Sequence, residues 1–492
     1  MRNVAPLTAH LDRLMNEFVT LLVADTVSIT GKLRPVSEDE VRKRQTRPSQ
    51  RAIIERGQHL YATEGPNRAS AFQKREPGSG APRNITVPTP AVKIAGALME
   101  YAVADALKTV HWYAFGRSLA DVGAILGAKY KNAAFSADCD YSNMDGSVGV
   151  IERELDLRVR LNLFHVDEHK FVRRTCALLF GNSVRCAQGS TYSQGTGQAS
   201  GFADTSTGNT IRNAFVAYVA LRATRPSQLA WHSLGLYGGD DGSTPDLLED
   251  DMRKAAEEVG KVVKVTRVER GQPISFLGRF FGEVWSGGAN SCCDILRQLN
   301  KLHVTTRASD VPNEVVMADK GLSFLITDAN TPVIGDIARK LVTLTVDRSL
   351  WPPVLSWTAA QNEGLAVENI PQPWMADLVS KVLAPQELQT LGEWLEKGSM
   401  ADIPCLRVVE PALKPGLPPA FIDGLPQVTQ VTSPPATPKP IEPPAPPARG
   451  PRSVFVHKRT PDEHAVWLES PEGLAYIATR RPRRTPAEQK EW

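Results

Sequence analysis

Apolar residues near the start of the chain recur at helical spacing. Leu7, Leu11, Leu14, Phe18, Leu21 and Leu22 share one face over residues 7–24, which predicts an amphipathic helix packed against a domain. Asp12, Glu17 and Asp25 argue against a membrane-surface role, because interfacial helices favour Lys and Arg. Residues 91–110 and 148–180 also read as helical. Between them, Ala134-Phe-Ser-Ala-Asp-Cys-Asp-Tyr141 reads as a buried strand ending at acids. Asp204 or Thr205 can cap a further helix running to about Leu221. Its Ile211, Phe215, Tyr218 and Val219 form the buried side, while Thr205, Asn209 and Asn213 fall at i, i+4 and i+8 as a polar stripe. Neutral amides and a hydroxyl on one stripe suit the reading of hydroxyl groups better than solvent exposure, since exposed faces usually carry Lys and Glu. Residues 246–259 predict an amphipathic helix closed by Gly260. Lys261–Val268 alternates as a strand, with Val263 and Val265 opposite Lys264 and Thr266. From 290 to about 400 the pattern is mostly helical.

The pattern breaks at Pro411. Thirteen prolines between 411 and 450 favour an extended, semi-rigid linker without a core. Beyond it, Val454-Phe455-Val456, Trp467, Tyr476 and the basic run Arg480-Arg481-Pro482-Arg483-Arg484 fit a disordered segment, a small module or a docking peptide. The 492 residues are 42% hydrophobic and 23% charged, enough for a large core divided into two to four domains or subdomains. A net charge of +3 names no partner, so a nucleic-acid footprint must be local. The six cysteines (139, 176, 186, 292, 293 and 405) form no CxxC pair, which suits a reducing compartment. No signal peptide or membrane-length apolar run is present; membrane attachment would come from an amphipathic surface, a partner or a segment missing from this chain.

Candidate chemistry concentrates in three places. Gly238-Gly239-Asp240-Asp241-Gly242 predicts a tight hairpin with adjacent acids at its tip. Adjacent carboxylates repel, and Mg²⁺ or Mn²⁺ is the hard, oxygen-seeking ion that relieves them, together with substrate phosphates. Asp140 at a strand end is followed four residues later by Asp145, a natural metal-and-ligand arrangement. Lys74, Arg75 and Arg83 flank a Pro/Gly loop and suit phosphate oxygens. The patch Arg42–Arg51 is similarly basic. Residues 189–201 form a mobile small-residue loop with neither the Walker pattern nor GxGxxG. His165-Val166-Asp167-Glu168-His169 matches a zinc-protease pattern, but no cysteine or histidine cluster supports a zinc site there.

In chain order, Asp140-x4-Asp145, Ser200-Gly201-x3-Thr205-x3-Asn209 and Gly239-Asp240-Asp241 resemble motifs A, B and C of RNA-dependent RNA polymerases from positive-strand RNA viruses. Lys74-x-Glu76 and Arg83-x-Ile85 resemble the family's basic motif F. Phe276-Leu277-Gly278-Arg279 and Lys301-Leu302-His303-Val304-Thr305 point towards nodavirus-like members. The resemblance spans about residues 40–345.

It implies an α+β right-hand polymerase with fingers, palm and thumb, an antiparallel palm sheet and a proline-rich C-terminal tail. Fingers with an N-terminal extension are expected over 1–133, and palm over 134–285 with a fingers insertion around 165–200. Thumb, linker and tail are expected over 286–410, 411–450 and 451–492. The resemblance implies that Asp140, Asp240 and Asp241 hold two Mg²⁺ (or Mn²⁺) ions, and that Asp145, Ser200, Thr205 and Asn209 read the ribose 2′-hydroxyl. Lys74, Arg75 and Arg83 would neutralise the triphosphate, and Lys261 or Lys264 would be the general acid for pyrophosphate. Partners would be RNA template and product and NTPs, with replication proteins or membrane adaptors reached through the tail, in the host cytoplasm. Two departures stand out. Gly238 separates Tyr237 from Gly239, displacing the aromatic residue usual before Gly-Asp-Asp. The family's N-terminal membrane-anchoring and capping region has no counterpart here, so neither activity is assigned to this chain. The rival readings are a reverse transcriptase, disfavoured by Asp145 and Asn209, and a non-catalytic RNA-binding scaffold, disfavoured by the intact acids.

Overall fold

The computed structural model describes residues 5–408 except 46–47, 58–67, 75–82, 187–188, 306, 308–309 and 345, together with the backbone at 421–422 and 425–426. Arg75 and the final segment lie outside the described residues. So do the side chains of Lys74 and Arg83.

The first helix, Ala9–Thr30, begins where the Thr8 hydroxyl accepts from the Leu11 amide, and it ends at Gly31 with φ of 69°. Leu11, Leu14, Phe18 and Leu22 are buried as the periodicity predicts, Leu21 is half-buried, and Leu7 is exposed because the helix begins only after it. Phe18 sits among Trp112, Phe215, Tyr218 and Trp231, its ring centroid 5.5 Å from Phe215 and 5.4 Å from Trp231. Truncating such a side chain to alanine costs about 3–5 kcal/mol. This face is therefore core.

Among the described residues up to 408 there are eleven strands: β1 Arg68–Lys74, β2 Arg83–Pro88, β3 Phe135–Tyr141, β4 Ser183–Cys186, β5 Thr191–Ser193, β6 Leu236–Gly238, β7 Asp241–Pro245, β8 Val263–Glu269, β9 Ile274–Phe276, β10 Arg279–Phe281 and β11 Ser291–Cys293. They form sheets of order β2-β1-β4-β5, β6-β7-β3-β8 and β11-β10-β9. The central sheet is antiparallel throughout, with β3 between β7 and β8. Its β6 edge is covered by residues 112–114, where the Tyr237 amide donates to the Trp112 carbonyl and the Ala114 amide donates to the Tyr237 carbonyl.

The helix Thr205–Arg222 is buried at every position from Thr207 to Leu221. Its polar side chains therefore need internal partners, because an unpaired buried polar group costs several kcal/mol. An ionic network supplies them. Arg160 donates to Glu100 at 2.6 Å, and Arg153, Arg160 and Arg212 surround Asp156. Beyond the sheets, the helices between Ile295 and Lys397 bury Leu299, Met317, Ile337, Leu341, Leu391 and Trp394 together as a second core.

Three expectations change. The stretch 148–180 is two helices, Val150–Leu163 and His169–Leu178, because Leu33 exchanges backbone hydrogen bonds with Leu163 and His165 and pulls the chain out of helix there. Asp204 precedes its helix without a capping bond, its carboxylate being turned instead towards Gln198 and Arg153. The loop 189–201 is tied down: Thr191–Ser193 pairs with β4, and Gln194 and Gln198 are buried and hydrogen-bonded. Beyond residue 408 the described backbone pairs Phe421–Ile422 with Leu425–Pro426.

Candidate active site

The site is built on the meeting of β3 with the β6–β7 hairpin. Gly238 pairs with Asp241, which leaves Gly239 and Asp240 as a two-residue turn. Gly239 has φ of +71° and Asp240 has no positive φ, the pattern of a type II′ turn with glycine at its first central position. The β3–β7 ladder ends at Cys139 opposite Gly242. One step further along the register lie Asp140 and Asp241, so the two strands deliver their acids to the same end of the sheet. Asp140, Asp240 and Asp241 all reach solvent. The Asp241 carboxyl is pushed up to about 6, by desolvation within the site and then by the negative charges of Asp240 and Asp140; Arg297 opposes this.

The turn is held from below. The Asn213 amide nitrogen donates to the carbonyls of Gly239, Asp240 and Asp241, and the Gly239 amide donates to Thr210 Oγ1. Gly238 stands where the displaced aromatic would be, and a Cβ there would lie 3.0 Å from Leu277 Cδ2. The β9–β10 turn therefore fills that space, while Tyr237 is fully buried with its hydroxyl 2.8 Å from Thr244 Oγ1. Under Asp140, Asp138 accepts from Ser136 Oγ at 2.7 Å and Ser243 Oγ at 2.9 Å. Burial pushes its pKa up to about 6.

A second group adjoins the first. Asn209 Nδ2 donates to Asp145 Oδ1 at 2.7 Å, and the Gln198 amide donates to the Asp145 carbonyl at 2.8 Å. Thr205 Oγ1 donates to the Ala199 and Phe202 carbonyls, which fixes the loop rather than offering a ligand. Ser200 Oγ lies 3.4 Å from the Asn84 carbonyl, and the Gly201 amide donates to the Thr86 carbonyl. This links the loop to β2, the strand that Arg83 opens. Lys74 and Arg83 are paired in the β1–β2 register.

The two candidate lysines separate clearly. Lys261 is buried, with its ammonium 2.8 Å from Glu152 Oε1 and donating to the Met144 carbonyl and Ser147 Oγ. Burial pulls its pKa down. Lys264 is exposed on β8 directly opposite Asp140, and directly opposed residues project to the same face.

Among the described residues no three His, Cys, Asp or Glu side chains form a ready-made metal cage. The acids thus share a neighbourhood rather than a closed site. The donor set still fits Mg²⁺ or Mn²⁺, which take one or two carboxylates and complete their shell with water and phosphate. The His165–His169 stretch is occupied otherwise: His165 Nδ1 accepts from the Asp167 amide, and Arg34 pairs with Asp167 and Glu168. A cavity of about 960 Å³ is lined by Leu277, Arg297, Lys301, Arg307 and exposed Trp357, among others, and its Arg297 is the charge that opposes the rise at Asp241. Pattern reading missed Asn213 as a support of the turn, as well as Arg212, Asp138 and Arg297. Asn213 stood out on the polar stripe and Arg212 as an arginine amid apolar helix residues, whereas Asp138 and Arg297 carried no such signal.

The fold is that of viral RNA polymerases. It is similar to the RNA-dependent RNA polymerase of a human picorbirnavirus (an insertion-loop deletion mutant) with a TM-score of 0.55, 13% identity, and coverage of 78% of this chain and 76% of that one. No family model matches the chain. In sequence it is a homologue of nodavirus-type RNA-directed RNA polymerases. The enzyme of Striped jack nervous necrosis virus is 32% identical over 343 residues, 67% of this chain and 34% of that protein. Those of Pieris rapae virus and Pariacoto virus are 28% identical over 355 residues and 29% over 343. The chain spans about a third of the length of the curated relatives it matches. The resemblance carried by the three motifs is thereby borne out. No helix among the described residues is long and apolar enough to cross a membrane.

Proposed function

We propose that the chain is an RNA-directed RNA polymerase that extends an RNA strand along an RNA template from NTPs. The observation that supports this reading is the shared end of β3 and the β6–β7 hairpin, where the register sets Asp140 and Asp241 at neighbouring positions with Asp240 in the adjoining turn. Asp140, Asp240 and Asp241 would hold two Mg²⁺ or Mn²⁺ ions, which when bound activate the 3′-hydroxyl and stabilise the pyrophosphate leaving group. The hairpin and β3 keep the acids fixed while nucleotides come and go, with Asn213 holding the turn. Asp145 and Asn209 would receive the ribose 2′-hydroxyl, with Ser200 and Thr205 shaping the loop around them. Lys74, Arg75 and Arg83 would meet the triphosphate. Lys264 is the better placed general acid, because Lys261 is spent on Glu152.

In this reading residues 1–133 serve as fingers, 134–285 as palm with the 165–200 insertion, and 286–410 as thumb. The proline-rich segment and tail reach partners in the host cytoplasm. Primer extension on a defined RNA template, with parallel NTP and dNTP arms, tests the proposal. Full-length product with NTPs alone is expected. Extension with dNTPs would favour reverse transcription, and no extension in either arm would leave only RNA binding.

A further inference from the structure

Arg212 is fully buried, and its guanidinium spans three partners, two amides and a carboxylate. One nitrogen, Nη1, donates to Asn209 Oδ1 at 2.7 Å. The other, Nη2, donates to the Asp156 carboxylate and to Gln198 Oε1. Asn209 in turn donates through Nδ2 to Asp145. A single relay therefore runs Asp156–Arg212–Asn209–Asp145 from the buried ionic network to the sugar-reading pair. From it we infer that Arg212 is a positioning residue that sets the preference for ribose over deoxyribose; this rests on the proposal that Asp145 and Asn209 meet the 2′-hydroxyl.

The two ends of an asparagine amide are nearly identical in shape and opposite in hydrogen-bonding sense. While Asn209 is bonded to Asp145, that carboxylate fixes which end faces the site. A 2′-hydroxyl that enters between them breaks this bond, and only Arg212 then holds the amide. Arginine donates at every nitrogen and is never deprotonated in proteins, so it keeps Asn209 Oδ1 turned inward and Asn209 Nδ2 turned to the sugar. The hydroxyl then meets one donor, Asn209, and one acceptor, Asp145, and satisfies both. A reversed amide would present two acceptors to one hydrogen. A deoxyribose has no stake in the orientation.

The test compares kcat/KM for NTP and dNTP incorporation by the full chain. Arg212→Lys retains the charge beside Asp156 but lacks the fork, and Arg212→Gln offers an amide that can present either atom. Either variant that folds is expected to lower the NTP-over-dNTP ratio about tenfold, the cost of one mispaired buried hydrogen bond. The whole loss should fall on the NTP side. Asn209→Ala runs in parallel. An Arg212 variant with an unchanged ratio, or with equal loss on both substrates, would overturn the inference if Asn209→Ala lowers the ratio. An unchanged ratio in Asn209→Ala would instead overturn the sugar-reading pair itself, and the role of Arg212 with it.

Discussion

Asn213 Nδ2 lies 3.1 Å from the carbonyl oxygen of Asp240, and it reaches the carbonyls of Gly239 and Asp241 at 3.2 and 3.1 Å. One fully buried amide thus gathers three successive carbonyls of the acidic turn. The polar stripe of Thr205, Asn209 and Asn213 divides its labour: the first fixes a loop, the second bonds Asp145 and the third supports the hairpin.

Removing the amide leaves the turn free to shift without touching the acids. Asn213→Ala is expected to lower stability by about 1–3 kcal/mol and to lower kcat at least tenfold, with little change in KM for NTP. Urea unfolding and steady-state incorporation kinetics measure the two effects. A normal kcat would show that the turn holds its shape unaided.

The two lysines should behave oppositely. Lys261→Met strands Glu152 in the core and is expected to cost about 3–5 kcal/mol in a denaturant titration. Lys264→Leu changes an exposed side chain and should alter stability by less than about 0.5 kcal/mol. If Lys264 protonates pyrophosphate, that variant will slow single-turnover incorporation and flatten the basic limb of the pH–rate profile. An unchanged rate and profile would remove Lys264 from the mechanism.

Local chemistry explains which parts were legible in the sequence. The glycines around Asp240 and Asp241 announce the hairpin, the alternation at 263–266 announces β8, and Gly260 closes its helix with φ of 84°. Roles set by distant packing were silent. Nothing near Lys261 in sequence tells that Glu152 waits for it in the core, and nothing near Phe164 tells that Leu33 will break the helix there. The hairpin tip Leu277, which occupies the space beside Gly238, is 39 residues away from it in the chain.

The proline-rich segment begins beyond the last residues of the second core, which include Ile403, Leu406 and Val408. Truncation after about residue 410 is therefore expected to preserve NTP incorporation on short templates, measured beside the full chain. A large rise on truncation would mean that the tail occupies the RNA path. Loss of all activity would place the domain boundary elsewhere.

The most direct measurement is single-nucleotide incorporation on a primed RNA template in Mg²⁺, comparing the native chain with Asp240→Asn. The account predicts incorporation by the native protein that stops when the metal is chelated. It predicts no incorporation by the variant, whose unfolding midpoint and RNA affinity should match the native values. Incorporation by Asp240→Asn at the native rate would contradict it.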